Sequence, residues 1–156
     1  MSNRTPATAA LDRLGVAYDL HRYDYDPEAP QIGLHAAESL GVDPGCVLKT
    51  LMALVDGKPV CVVVPSDREV SMKRLAAAAG GKSAQMMKPA DAERSTGYRV
   101  GGISPFGQRK AVRTFVDAGG LGQARVFVNG GQRGLQVRLA PGDLVRALDA
   151  AVEPLC

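Results

Sequence analysis

The chain has 156 residues, 46% of them hydrophobic, which suits a single domain (residues 1–156) around one buried core rather than a string of modules. Aromatic residues make up only 4% and tryptophan is absent, so Ala, Val and Leu must fill that core. A net charge of +3 permits a nucleic-acid partner but excludes a protein that coats nucleic acid nonspecifically, and Cys46, Cys61 and Cys156 lack the spacing of a disulfide framework or a zinc site.

The N-terminal stretch from Met1 to Ala10 is polar and alanine-rich without the apolar core of a leader, and no later stretch approaches the roughly 18 apolar residues of a membrane span. The expected location is therefore the cytoplasm, with no membrane partner. Thr5-Pro6 predicts a helix cap with proline at the first helical position, and Ala7, Ala10, Leu11 and Leu14 recur at helical spacing up to Gly15. Val16 to Tyr23 reads as a strand, broken at Asp26-Pro27 and Pro30, and a short helix is expected from about Gly33 to Leu40. Val47–Val55 and Val60–Pro65 are β-rich runs joined at Asp56-Gly57, a dipeptide suited to a tight hairpin, so the two are expected to pair antiparallel.

Ser71 caps a helix reaching about Ala79, stopped by Gly80-Gly81, and Pro89 to Arg94 is a shorter helical piece. Arg113–Val116 and Ala124–Val128 are strand-like, and Asn129-Gly130-Gly131 turns the chain into Leu135–Leu139 as a second hairpin. Pro141 opens a last helix with Leu144, Val145 and Leu148 on one face. Strands interleaved with helices predict an α/β (mixed α+β) domain with a mixed sheet covered by helices.

Several common signals fail. Gly81-Lys82-Ser83 looks like the end of a phosphate-binding loop, but Ala76 stands where the first glycine is required and the segment follows a helix. His21 and His35 have no metal-ligand spacing, and no Gly-x-Ser-x-Gly elbow presents a serine. Any hydrolytic chemistry must do without a metal or a triad.

Two segments resist a purely structural reading. In Val47-Leu48-Lys49-Thr50-Leu51-Met52-Ala53-Leu54-Val55 a lysine interrupts an apolar strand. Period-two geometry puts Lys49 on a face with Leu51 and Ala53, where its ammonium must find water or an anion; an edge lysine that discourages aggregation is the structural alternative. The second is the glycine-rich run from Arg94 to Gly107, whose backbone can approach a ligand closely and offer N–H groups to an oxyanion, or else form a turn fixed by Pro105.

Three motifs together resemble the YbaK family: Lys49-Thr50-Leu51, the run Arg94-Ser95-Thr96-Gly97-Tyr98 with Val100-Gly101-Gly102-Ile103-Ser104-Pro105-x-Gly107-Gln108, and Gly130-Gly131-x-Arg133-Gly134-Leu135. That family is related to the editing insertion of bacterial prolyl-tRNA synthetase. The likeness runs from about Thr5 to Leu148. It implies a mixed, partly closed sheet and a free-standing deacylase that clears misacylated tRNA in trans, cysteine on proline tRNA first (with cysteine tRNA a further candidate) and the synthetase a candidate partner. No cofactor or metal is implied.

The resemblance also implies roles. Lys49 anchors the 3′-terminal adenosine and ester; the Gly101–Ser104 loop, Ile103 included, binds the aminoacyl end, with the Gly101 and Gly102 amides at the carbonyl oxygen. Tyr23, Ile32, Thr50, Asn129 and Gln136 line the pocket. A cysteinyl substrate attacks its own ester through its thiol, giving a thiolactone, so no enzyme nucleophile is needed. Gln136 stands where the family has an acidic residue, Ile32 where it has a phenylalanine, and Gln132 where a lysine is common. Those departures leave open a water-using deacylase for alanine, serine or threonine. They also leave open a non-catalytic tRNA- or synthetase-binding module, in which Lys49 and the Arg109, Lys110, Arg113 cluster hold phosphate.

Overall fold

The computed structural model describes residues 4–156; Met1 to Asn3, part of the N-terminal stretch read above, lie outside the described residues. Helix α1 (Pro6–Arg13) begins where expected, because the Thr5 hydroxyl accepts from the Thr8 N–H while the Thr8 hydroxyl accepts from the Thr5 N–H. The predicted Leu14 falls on the cap instead and is exposed, while Ala7 and Leu11 carry the buried face. Strand β1 (Asp19–Arg22), helix α2 (Ile32–Leu40), strands β2 (Leu48–Val55) and β3 (Lys58–Pro65) and helix α3 (Met72–Ala78) follow. Asp56 and Gly57 both take positive φ in the β2–β3 turn, and Ser71 caps α3 through the Arg74 N–H.

Strand β4 (Ala84–Met86) is followed by α4 (Pro89–Thr96), β5 (Arg113–Asp117), β6 (Val126–Asn129), β7 (Leu135–Leu139), α5 (Pro141–Leu148) and β8 (Ala151–Glu153). The expected mixed sheet is divided in two. One sheet has the order β1-β7-β6 and is antiparallel throughout; the other has the order β4-β2-β3-β5-β8, with β3-β5 and β5-β8 parallel. A single parallel bridge, Val47 to Phe127, ties the start of β2 to β6 and partly closes the assembly.

Between the sheets lies the main core, where Leu48, Met52, Cys61 and Val63 meet Val126, Val128, Val137 and Leu139. The opposite face of β2 and β3 packs Ala53, Val55, Val62 and Val64 on Leu75 of α3. Under α2 a third cluster holds Ala36, Ala37, Val47 and Phe127. Beside the hairpin turn, the Gly-Lys-Ser segment turns its amides inward: the Lys82 and Ser83 N–H groups both donate to the Asp56 carboxylate, so its resemblance to a phosphate loop has a structural cause. Among the described residues no helix is long and apolar enough to cross a membrane.

Candidate functional site

Lys49 and Thr50 sit where the edge of β2 loses its neighbour. Ala53–Val55 pair with β4, and Met87 N–H donates to the Met52 carbonyl, so the even-numbered peptide groups face that edge. The Val47 carbonyl accepts from Ser66 N–H on the β3 side, which fixes the same alternation from the other end. β6 touches β2 at Val47 and β4 takes over at Met52, and in the fork between them the Thr50 peptide group faces no strand. A cavity of about 440 Å³ opens there, within the usual range for a small-molecule site.

The cavity gathers side chains from distant parts of the chain. Lys49, Thr50, Ile32, Gly101, Ile103, Asn129 and Gln136 all line it, seven of the ten residues proposed from sequence. Lys49 finds the anion that its strand position demanded: its ammonium lies 3.4 Å from the Glu69 carboxylate, with the lysine side chain 21% and the glutamate side chain 85% exposed. Inside, the buried Thr50 hydroxyl and the Gln136 Oε1 have no hydrogen-bond partner. Buried polar atoms are satisfied in the great majority of cases, so two orphans in one cavity mark a place for a polar ligand.

The glycine loop is held from several sides. Arg133 Nε donates to the Val100 carbonyl at 2.9 Å, the Glu93 carboxylate accepts from the Val100 N–H at 2.8 Å, and Asn129 Nδ2 donates to the Gly101 carbonyl at 3.1 Å. Gly101 has φ +90°, and a β-carbon there would lie 2.4 Å from the Tyr25 hydroxyl, so the position requires glycine on two counts. The same geometry corrects the role expected for Gly102. Its N–H donates to the Arg99 carbonyl at 2.8 Å and it packs on the backbone of Gln132 and Arg133, while Gly101 is the loop glycine that lines the cavity.

Two further expectations are corrected. Ser104 is fully buried outside the cavity, its hydroxyl accepting from Phe106 N–H and its carbonyl from Gln108 Nε2, so it shapes the turn. Tyr23 does not line the cavity either. It stands one layer behind, under α2, with its ring edge-on to His35 and its hydroxyl beside Gln136 without a bond of normal geometry. Burial pushes the Tyr23 pKa up, so the phenol stays neutral.

His21 and His35 are also outside the cavity. The His21 ring lies edge-on to Phe127, and His35 Nε2 is 2.9 Å from the Asp24 carbonyl. Arg113 is held by the Ala79 carbonyl over the Phe115 ring, away from the cavity. The three thiols are poor nucleophiles: burial raises Cys61 to about 12 and Cys156 to about 11, and Cys46 is raised too. Glu69, Met86 and Ser66 line the cavity without any sequence motif to announce them.

Known proteins place the chain in a family. Residues 26–147 match the aminoacyl-tRNA editing domain family. A protein of Enterococcus faecalis with the provisional name Cys-tRNA(Pro)/Cys-tRNA(Cys) deacylase EbsC is 39% identical over 106 residues, which are 67% of this chain and 65% of EbsC. A proline–tRNA ligase of Nitratidesulfovibrio vulgaris is 32% identical over 130 residues, 81% of this chain but 22% of the ligase. The chain thus spans just under two thirds of the first relative and about a fifth of the second. A solved structure, described provisionally as a trans-editing enzyme for prolyl-tRNA synthetase, shares the fold with a TM-score of 0.81 over 96% of this chain and 94% of the other, at 21% identity. The chain is a member of the aminoacyl-tRNA editing domain family.

Proposed function

We propose that the chain removes wrongly attached amino acids from tRNA, acting in trans in the cytoplasm, with cysteine on proline tRNA as its first substrate. The observation that carries this reading is the convergence of a strand lysine, a loop glycine and two residues with orphaned polar atoms on the lining of one cavity at a fork in the sheet. The ester would enter between Lys49 and Gly101. The ammonium favours negative charge on the departing ribose oxygen, and the Gly101 N–H favours it on the carbonyl oxygen, a contribution of about 3 kcal/mol per donor in comparable sites.

None of the three thiols lines the cavity, and burial raises the pKa of each, so no enzyme cysteine serves as the attacking group. In a cysteinyl ester the substrate sulfur attacks its own carbonyl carbon, the carbon–oxygen bond to the ribose breaks, and the thiol proton passes to the ribose oxygen. The protein then mainly orients the two groups and excludes water. The ligase and EbsC likenesses support proline tRNA as the carrier and prolyl-tRNA synthetase as the source of the error.

A second reading has an observation in its favour. Gln136 is neutral with an unsatisfied Oε1, and the Thr50 hydroxyl of the same cavity lining has no partner, so a hydroxyl side chain or an attacking water would also be accommodated. The test is to charge proline tRNA separately with cysteine, alanine, serine and proline and follow loss of each ester. The wild-type protein is expected to clear the cysteinyl ester and spare the prolyl one, and chemical blocking of the substrate thiol is expected to stop the reaction. Continued turnover after blocking establishes attack by water. Salt-sensitive tRNA binding with no ester loss makes the chain a binding module and removes the enzymatic reading.

A further inference from the structure

Four large hydrophobic side chains are markedly exposed among the described residues, and two of them meet at the mouth of the cavity: Met86 at 47% and Val100 at 41%. They arrive from unrelated elements, Met86 from the end of β4 and Val100 from the loop before Gly101. Pro89 completes the rim. Met86 pairs with Ala53 and therefore projects on the face of β2 that carries Lys49 and Leu51. An apolar patch at the lip of a ligand-sized cavity marks a surface that something covers.

The charges beside it indicate what. Lys88 and Arg99 are exposed, each within two residues of a rim side chain, and neither forms a salt bridge among the described residues. The nearby Glu93 carboxylate is occupied by the Val100 N–H. Apolar platforms flanked by unpaired cations are the footprint of single-stranded nucleic acid, in which bases lie on the platform and phosphates on the cations. Lys49 and the Ala53–Met86 pair are four residues apart on β2, roughly 13 Å at strand spacing. The lysine stem and a terminal nucleoside, from its ester oxygen to its base, together bridge that distance.

We propose that the Met86–Val100 rim seats the terminal purine base of an RNA 3′ end, and that Lys88 and Arg99 hold phosphates of the preceding nucleotides. The inference rests on the deacylase reading and adds to it how the acceptor end is gripped. It also explains why Met86 and Val100 stay exposed: the base that covers them belongs to the substrate.

The experiment measures binding and turnover side by side. Binding is followed with a short uncharged RNA ending in cytidine-cytidine-adenosine and with the same RNA lacking its last base. Turnover uses cysteinyl-tRNA. The wild-type protein is expected to bind the complete RNA about tenfold more tightly than the abasic one, and Met86→Ser with Val100→Ser to remove that difference. In turnover the double variant is expected to raise KM about tenfold and leave kcat within twofold. Lys88→Gln with Arg99→Gln is expected to flatten the salt dependence for both RNAs. Both rim residues are exposed, so the variants keep the fold, which circular dichroism verifies. Equal binding of the two RNAs, or no effect of the rim variants, overturns the proposal even when ester cleavage is present. Loss of the cleavage reading alone leaves the base-dependent binding to be scored on its own.

Discussion

Strand β2 contains two environments within eight residues. From Ala53 to Val55 it is paired on both edges, with β3 and β4, and Ala53 and Val55 are buried among apolar side chains. From Leu48 to Leu51 it keeps β3 but has only the touch of β6 at Val47, and here a lysine and a threonine appear. Strand propensity does not separate the halves. The difference lies in the neighbours: β4 and β6 belong to different sheets and diverge, so the ladder is incomplete at Thr50. Polar groups without a partner inside the protein are then held for one outside it. A site arises where the sheet is unfinished, and the finished half supplies the rigidity that fixes its geometry.

Exchanging the roles of the two halves is the sharpest way to break this comparison. Lys49→Met keeps the stem and removes the charge. Its expected effect is the largest, a loss of deacylation of about a hundredfold or more, with thermal stability unchanged or slightly higher, because only a weak pair with an exposed carboxylate is given up. Val55→Ala should do the opposite: about 2 kcal/mol of stability lost in urea unfolding from a side chain 6% exposed, and turnover per folded molecule kept within a few-fold. If Val55→Ala abolished turnover while Lys49→Met spared it, the division of the strand would be wrong.

Gln136→Leu tests the polar half more gently. The amide is 4% exposed and its Oε1 has no partner, so an apolar side chain of similar size removes a desolvation cost. Stability is expected to rise by about 1 kcal/mol in chemical denaturation, while cleavage of the cysteinyl ester falls about tenfold. A loss of stability would show instead that Gln136 is part of the structural network with Tyr23 and that its place in the cavity is incidental.

How much of this was legible in the sequence follows the same line between local and non-local causes. The helix cap at Thr5-Pro6, the Asp56-Gly57 hairpin and the Pro141 helix are written in neighbouring residues, and they form where expected. Strands β4 and β8 were not legible: each has three residues, and each exists because a strand far away in sequence offers it an edge. The parallel β3–β5 pairing that splits the sheet in two is non-local in the same way. Lys49 stood out because a charge in an apolar strand contradicts its surroundings. Glu69 and Met86 did not, since an exposed glutamate and a methionine after a glycine turn are ordinary until register places them at the mouth. Gly102 and Ser104 misled because a glycine-rich loop shows that backbone approaches something closely without showing what. For Gly102 that something is the Gln132–Arg133 backbone, and Ser104 is folded into its own turn.

The smallest expected effect concerns the pair that holds Lys49 at rest. Glu69 is 85% exposed and lies 3.4 Å from the ammonium, a geometry in which water and salt screen most of the attraction, worth about 0–1 kcal/mol. Glu69→Gln should therefore leave the melting temperature where it is. A phosphate or a developing alkoxide approaching Lys49 must compete with that carboxylate, so removing its charge should lower KM for charged tRNA by about twofold at low salt. The gain should fade as ionic strength rises, because screening weakens the competitor in the wild-type protein as well. The kcat of Glu69→Gln should stay at the wild-type value. Were Glu69→Gln to cost turnover on the scale of Lys49→Met, the carboxylate would be moving a proton rather than occupying a place, and the open half of β2 would contain an acid–base pair in addition to a single cation.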